Sequence, residues 1–434
     1  MKRIKSKRYY RIEFVLATAM NVGSGKNEVT DKDLARDSRN IPYIPATALA
    51  GIYRTLFGKE EADHYFGLPI EDNEHQRNTD SRVIVYDAVL TGEEYHISSR
   101  DGVGLDEWKT VKEGAKFNFE ILEPGAVFTT YIEQDKYQDD ENVGDVIAQA
   151  WKTGEIVLGG KNSRGFGRVK DVEVEVLEFS FEDEKEIEQW LDFDVYEKES
   201  WEKYAHNYAS ELCCADITRK SDILRLHLEL KQRGSLVIRK YTTRISQSEN
   251  QPDYEQLVYL REKEGKRYEI PVIPGTSWAG AFRHQMRKLD KACLGTYFGN
   301  KEKQKSWITF SESEINGAKS KVCTRNSIDR FTGGAIENAL FTEKIYYDGQ
   351  TVLDIAVRKE KEIKAFLQCL AAAVVDLHCG FLALGGETSV GRGLFELSFV
   401  ECQGRVIETI PEQPEQLYQE LLTVMLSEEV NRGK

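Results

Sequence analysis

Cysteine is absent from the first 212 residues of the chain. The seven that follow, Cys213, Cys214, Cys293, Cys323, Cys369, Cys379 and Cys402, include no CxxC pair. An odd number without disulfide or metal spacing fits a reduced, cytoplasmic protein and not a secreted disulfide framework. Histidine is equally sparse, seven scattered residues, so no zinc site is expected. No apolar run reaches the roughly 18 residues that span a membrane. The basic N-terminus is not followed by the apolar stretch of a secretory signal. Positive charge is in deficit too: 59 Lys and Arg stand against 73 Asp and Glu, a net of −14. As one number this argues against free binding to nucleic acid.

The distribution of charge qualifies that exclusion. Residues 182–199, "EDEKEIEQWLDFDVYEKE", hold nine acids and two bases, half of the net negative charge, and read as a solvated acidic face. Residues 1–11 hold six basic side chains and no acid, and further basic clusters lie at Arg36/Arg39, Arg239/Lys240/Arg244 and Arg283/Arg287/Lys288.

What is present is a phrase written twice. "IPYIPATALAGIYR" (41–54) returns as "IPVIPGTSWAGAFR" (270–283). "YFG" (65–67) returns at 297–299. "SRDGVGLD" (99–106) is answered by "TRNSIDRF" (324–331), and "LGGKNSRGFGRV" from Leu158 by "LGGETSVGRGLF" from Leu384. The offsets are 229, 232, 225 and 226 residues, in one order, which marks a tandem duplication. A period this long makes each copy a domain with its own core, not a solenoid repeat.

Alternating apolar and polar residues predict a first strand in each copy, at 9–20 and 223–239. A polar stretch follows each, then the IP-x-IP phrase and a helix running through Arg54 or Arg283, with Thr47, or Thr276 and Ser277, as capping candidates. Residues 81–133 and 306–357 read as β-hairpins, 145–156 and 359–382 as helices, 167–179 and 393–402 as closing strands. The pattern is α+β with mainly antiparallel sheets, like two tandem ferredoxin-like or RNA-recognition-motif-like domains with large insertions. The expected boundaries are 1–179, an acidic, partly helical bridge at 180–221, 222–402, and a tail at 403–434 with a short helix over 410–427.

Each Gly-rich turn lacks the GK[ST] ending of a phosphate-binding Walker loop. It could instead let a phosphodiester approach backbone N–H groups with no Cβ in the way. The candidates are Gly159, Gly160, Ser163, Arg164, Gly165, Gly167 and Arg168 in the first copy, and Gly385, Gly386, Ser389, Gly391, Arg392 and Gly393 in the second. An ordinary tight turn between helix and strand explains either motif alone. Its recurrence beside a helix start, where phosphate also binds, favours contact with one polymer through Thr47, Arg54, Thr276, Ser277 and Arg283. Trp108, Phe331, Tyr65 and Tyr297 are aromatics that could stack on bases, with core packing the stronger expectation for the two YFG tyrosines.

The order "PYIPATALAG…R", "SRDGV", "EPGAVF", "GGKNSRGFGRV" resembles RAMP-type backbone subunits of type III CRISPR effector complexes, and the second copy resembles another. The resemblance covers 8–179 and 222–402, and two copies in one chain resemble the fused backbone proteins of subtype III-D. It implies a CRISPR guide RNA, a target single-stranded RNA and other type III effector subunits as partners, with no membrane. It also implies β-hairpin thumbs near Arg100–Phe119 and Arg325–Phe341. Where the family often has Gly-Ser-Ser-Leu-Lys-Gly, this chain has Ala46, Ala48 and Ala50, and Ala279 in place of the Lys. Active members cut target RNA with a loop Asp placed six residues before a second Asp that follows an Arg. Asp31, Arg36 and Asp37 in "TDKDLARD" keep that spacing, with Asp33 the nearest rival to Asp31; Asp253 in "QPDYEQLVYLRE" matches less well. The implied chemistry is attack by the target's own 2′-OH, helped by a carboxylate and by Mg²⁺ or another divalent cation, for which Asp31 is the candidate ligand. A purely structural scaffold is the alternative. A guide-processing endoribonuclease is more remote, since no His lies in either loop or Gly-rich turn.

Overall fold

The computed structural model describes residues 3–23, 33–67, 80–105, 111–137, 140–207, 223–239, 252–263, 266–289, 297–299, 306–359 and 363–426. The described chain forms two compact units. The first comprises 1–99, 118–160 and 167–219; the second comprises 100–117, 161–166 and 220–434.

In order, the first copy runs β1 (Ser6–Leu16), β2 (Tyr43–Ile44), α1 (Ala46–Arg54), α2 (Lys59–Phe66), β3 (Val83–Val85), β4 (Ala88–Leu90), β5 (Ile97–Leu105), β6 (Val111–Leu122), β7 (Val127–Lys136), α3 (Val143–Lys152) and β8 (Val169–Ser180). The bridge contributes α4 (Glu184–Asp192) and α5 (Lys198–Lys203). The sheet order is β2-β4-β7-β1-β8, with β3 also on β7, and β1 is antiparallel to both its neighbours. β5 and β6 form a two-stranded hairpin.

Alternation along β1 sends Tyr10, Ile12, Phe14 and Leu16 into the core beneath α1 and α3, where Phe14 meets Trp151 at 4.5 Å between ring centroids. The Trp151 indole N–H donates to the Tyr53 hydroxyl at 3.1 Å, so neither buried polar tip lacks a partner. On the opposite face Tyr9, Tyr131, Leu177 and Phe179 are covered by Trp201 and Tyr204 of the bridge, with Trp190 and Phe193 packed against them. The acidic bridge is therefore charged outside and aromatic inside, a second small core that its charge count concealed.

The second copy runs β9 (Ile223–Arg233), β10 (Ser235–Leu236), β11 (Tyr254–Glu255), β12 (Val258–Lys263), β13 (Lys266–Ile273), α6 (Gly275–Leu289), β14 (Ile308–Phe310), β15 (Ser313–Asn316), β16 (Lys319–Ile328), β17 (Ala335–Tyr347), β18 (Gln350–Arg358), α7 (Ile363–His378), β19 (Leu394–Cys402), β20 (Arg405–Ile407) and α8 (Pro414–Leu426). Its main sheet is ordered β12-β13-β15-β18-β9-β19-β20 with β14 on β18. A smaller sheet, β10-β17-β11 with β16 on β17, carries the second hairpin. The expected α+β architecture with mainly antiparallel sheets is what the chain adopts; among the described pairings only β11 with β17 is parallel. The buried face of β9 (Leu224, Leu226, Leu228, Leu230) packs with α6 and α7, and Trp278 donates to Ser313 Oγ at 3.0 Å. No described helix is long and apolar enough to cross a membrane.

Candidate nucleic-acid interface

The two Gly-rich turns share one backbone. Each has a left-handed residue (Lys161, φ 62°; Glu387, φ 56°), a short 3-10 turn (Asn162–Arg164; Thr388–Val390), and a left-handed glycine closing it (Gly165 and Gly391, both φ 82°). Leu158 N donates to Gly167 O at 2.8 Å, and Leu384 N to Gly393 O at 2.9 Å. A Cβ on Gly167 would collide with Leu158 O and one on Gly393 with Leu384 O, and both residues sit at positive φ, so only glycine closes either loop.

The same correspondence ties each turn to the stretch that follows the first strand of its copy. Gly160 N donates to Asn21 O and Gly386 N to Val237 O, each at 2.9 Å. In the first copy that stretch leads directly into the acid loop. There Glu120 accepts from Leu34 N and, through both oxygens, from Arg36, while Asn21 Nδ2 donates to Glu120 O. Residues 34–36 then run beside the IP-x-IP phrase, with Tyr43 N donating to Ala35 O at 3.1 Å. The root of the acid loop, the helix start and the Gly-rich turn thus meet at one end of the sheet.

Several sequence expectations are corrected here. The glycine amides do not form an open cradle. The N–H groups of Gly160, Gly165, Gly167, Gly386, Gly391 and Gly393 are hydrogen-bonded within the protein, and Gly159 and Gly385 press against Asn21 O and Val237 O. Thr47, Thr276 and Ser277 are not caps. Pro45 is the N-cap of α1 and α6 begins at Gly275, which places all three in the first helical turn. The α1 start is met by a carboxylate already, since Ala46 N donates to Asp87 Oδ1 at 2.6 Å. Arg54 is tied to Asp63 and to Gly67 O, which joins α1 to α2 and removes it from phosphate duty. Arg392 is 1% exposed and paired with Glu343 and Glu387.

The basic N-terminus is neutralised across the sheet: Lys7 pairs with Glu133 and Asp135, Arg8 with Asp145 and Glu178, Arg11 with Glu13 and Glu175. Arg36 and Arg39 are held by Glu120 and Asp37. Exposed among the described residues are Asn162, Arg164 and Ser389 on the turns, Thr47 and Thr276 at the helix starts, and Arg283 with Arg287 and Lys288 beyond it. Arg168 is half-buried, its N–H donating to Thr18 Oγ1. Of Ser163 only the backbone is described.

The acids separate in the same way. Asp31 and Trp108 lie outside the described residues, and Asp33 is 9% exposed. Asp37 accepts from Ile41 N, Arg39 N and the Arg39 guanidinium, and these bonds, the Ile41 amide foremost, hold its carboxyl below the ordinary range. Asp253 Oδ2 accepts from the N–H and hydroxyl of Thr342, which fastens β11 beside β17. Among the described residues no three His, Cys, Asp or Glu side chains gather as a metal site. Tyr65 and Tyr297 are buried in the two cores, whereas Phe331, at the tip of the β16–β17 hairpin, is 99% exposed.

Sequence comparison decides the family. The RAMP superfamily pattern matches residues 13–170 and 259–396, more than half of the chain and once in each copy. The chain belongs to the RAMP superfamily. Its two Gly-rich turns both lie at matched positions or at their border, and the RAMP match skips the acidic bridge. No curated protein matches significantly. One similar solved structure is a chain of the type III-B Cmr-beta complex bound to cognate target RNA, determined by cryo-EM. The likeness is 20% in identity with a TM-score of 0.30, and it covers 39% of this RAMP chain and 61% of that one. This chain therefore spans less than two thirds of that neighbour.

The residues that sequence reasoning missed are Glu120, Asp87, Glu343 and Glu387. Glu120, Asp87 and Glu343 are far in sequence from the groups they hold, and Glu387, five residues before Arg392 in the second turn, shows its role only once Arg325 and Arg239 are brought to it.

Proposed function

We propose that this protein is an RNA-binding backbone subunit of a type III CRISPR effector complex, and that it positions a target RNA paired to a guide and cuts it at the acid loop of the first copy. The observation that carries the reading is the twice-built junction of Gly-rich turn and first-strand loop, within a chain of two RAMP copies. Repetition of one surface along a chain suits a polymer with a regular phosphate spacing. Recognition of such a polymer rests on backbone contacts at Arg164 and Arg283, with Asn162, Ser163 and Ser389 adding polar contacts. The family resemblance supplies guide and target RNA as the polymers.

Cleavage is assigned to Asp31. Asp37 is occupied as an acceptor within its own loop and Asp253 is occupied by Thr342, so neither is poised as a metal ligand. Among the described residues no acids gather into a divalent-cation cage. A carboxylate beside the scissile phosphate would orient or deprotonate the 2′-OH for in-line attack, in which the P–O5′ bond breaks, the 5′ oxygen leaves and takes up a proton, and a 2′,3′-cyclic phosphate remains. The scaffold reading, in which neighbours cut, is favoured by those same two occupied acids.

The test is a map of cuts on an end-labelled complementary target, made with the assembled complex. Asp31→Ala is expected to remove one product from the ladder while guide and target binding persist. An unaltered ladder moves the assignment to Asp33 or to the scaffold reading. Asp253→Asn is the companion variant, because the amide oxygen can still accept from Thr342 N–H while the carboxylate charge is gone. Loss of a second product would assign cutting to the second copy as well.

A further inference from the structure

The two Gly-rich turns have the same backbone and opposite charge at their left-handed residue, Lys161 in one and Glu387 in the other. Around Glu387 three guanidinium groups converge. Arg392 Nη1 lies 2.8 Å from Glu387 Oε2, Arg325 Nη1 3.5 Å from the same oxygen, and Arg239 Nη2 3.5 Å from Oε1. Each comes from a different element: the end of the turn, β16, and the segment after β10. Arg239 is also stacked on Tyr254 of β11, 3.8 Å from the ring centroid.

Glu387 is the loosely held member of this group, reached by a long hydrogen bond of 3.5 Å from Arg325 Nη1. Glu343, fully buried on β17, accepts a well-formed hydrogen bond from Arg392 Nη2 at 2.8 Å, with Arg325 Nε 3.7 Å away. The contact from Arg392 Nη1 to Glu387 is close but not aligned as a hydrogen bond. Arg392 Nε, Arg239 Nε and Glu343 Oε1 also lack hydrogen-bond partners. Buried guanidinium nitrogens without directed acceptors mark a site that a better-shaped anion would satisfy more fully. Glu387 lies at the surface of the cluster and Arg392 beneath it, so moving the one uncovers the other.

We propose that Arg239, Arg325 and Arg392 form an oxyanion site that Glu387 fills in the free chain, and that a backbone phosphate of bound RNA replaces its carboxylate. With Glu387 withdrawn, three guanidinium charges face the single Glu343 carboxylate, an excess that suits one phosphodiester. The planar guanidinium matches phosphate oxygens two at a time. The first copy has a lysine at the same left-handed position, so its turn carries no such competitor. Burial and the neighbouring Glu343 push the Glu387 carboxyl above its usual range. Against its own burial, Glu343 is held below that range by the Glu387 carboxyl beside it, which takes up the shared proton, and by Arg392 and Arg325. Lower pH therefore neutralises Glu387 first and opens the site.

The inference rests on the RNA-binding reading above, and the experiment separates the two. The full chain is titrated against a short fluorescein-labelled single-stranded RNA, by anisotropy, over a range of salt and at two pH values, beside a thermal melt without RNA. Glu387→Gln is expected to bind about tenfold tighter than wild type. Its log affinity should fall at least as steeply with log salt, since the same phosphate contact forms without a carboxylate to displace. Its melting point without RNA should drop, because an internal ion pair is lost. A residue with a purely structural role would lower the melting point and leave affinity alone. Wild type should gain affinity on acidification, and the Gln variant should gain less. Equal affinity and equal salt slope for the two proteins overturn the role of Glu387 while leaving the RNA reading intact. Absence of RNA binding by both folded proteins overturns the RNA reading itself. Should the Gln variant fail to fold, Arg325→Gln in the wild-type chain decides: weaker binding with a shallower slope supports the site, and unchanged binding refutes it.

Discussion

Two arginines that look alike in the sequence have opposite fates. Arg164 is exposed on the first Gly-rich turn, whereas Arg392, near the end of the second, is buried on Glu343. Removing Arg392 strands a carboxylate with no exposure, so Arg392→Met should cost about 3–5 kcal/mol in urea denaturation. Arg164→Ala should cost less than about 0.5 kcal/mol. A smaller residue-scale effect concerns His227, whose Nδ1 lies 2.7 Å from Asp354 Oδ1 on the open face of the second sheet. The bond with Asp354 raises the His227 pKa over the opposing effect of burial. Stabilisation by a raised histidine is fully present below the unfolded value, about 6.5, and fades as pH rises through the higher folded value. Asp354→Asn should flatten that part of the stability profile between mildly acidic and neutral pH, as measured by denaturant midpoints.

At the scale of elements, the bridge shows how composition misleads. The nine acids of residues 182–199 predict a solvated segment, and eight of them are indeed exposed. Yet Trp201, 1% exposed, stacks on Tyr131 at 6.2 Å and donates to Val195 O at 3.0 Å. Trp201→Ala should therefore cost about 3–5 kcal/mol. Changes at Glu182 and Glu184 should cost less than about 0.5 kcal/mol. Asp183 is intermediate: it caps α4 through Lys185 N, so Asp183→Ala should cost about 1 kcal/mol. Denaturation of the three variants side by side checks the ranking. The strands and helices read from periodicity are present, several with shifted bounds, but β12 (Val258–Lys263) and the start of β13 fall in a stretch, 240–268, read as polar and irregular, and the strand read over 223–239 breaks at Gly234. The predicted helix over 359–382 is observed as Ile363–His378, and the closing strand over 393–402 as Leu394–Cys402. The caps were not legible, because Asp87 reaches the α1 start from 41 residues away.

For the whole molecule, an acidic chain that binds RNA must do so through a few uncompensated cations. Among the described residues many of the basic side chains nearest the strands are matched internally, as the pairs along β1 illustrate. Few phosphate contacts mean weak binding by the isolated chain and a shallow salt dependence, with retention growing when neighbouring subunits add theirs. Co-expressed with partner subunits and a guide array, the protein should purify with small RNA. The combined change of Ser163, Arg164 and Arg168 should reduce that RNA more than the change of Glu182 and Glu184. Purification of an intact assembly free of RNA would end the functional proposal.

The sequence alone determined the duplication, the α+β class and the positions of the two Gly-rich turns. All three are written in local signals: period-two alternation, helical spacing, and glycines where the backbone must turn left-handed against a carbonyl. Such signals survive without knowledge of distant partners. Only the tertiary structure decided which charges are available, because an ion pair joins residues far apart in the chain and leaves no periodic trace. Arg54 and Arg283 occupy the same place in their copies, yet Arg54 is bound by Asp63 while Arg283 is exposed. Arg392 reads as a free cation until Glu343, 49 residues away, is brought beneath it.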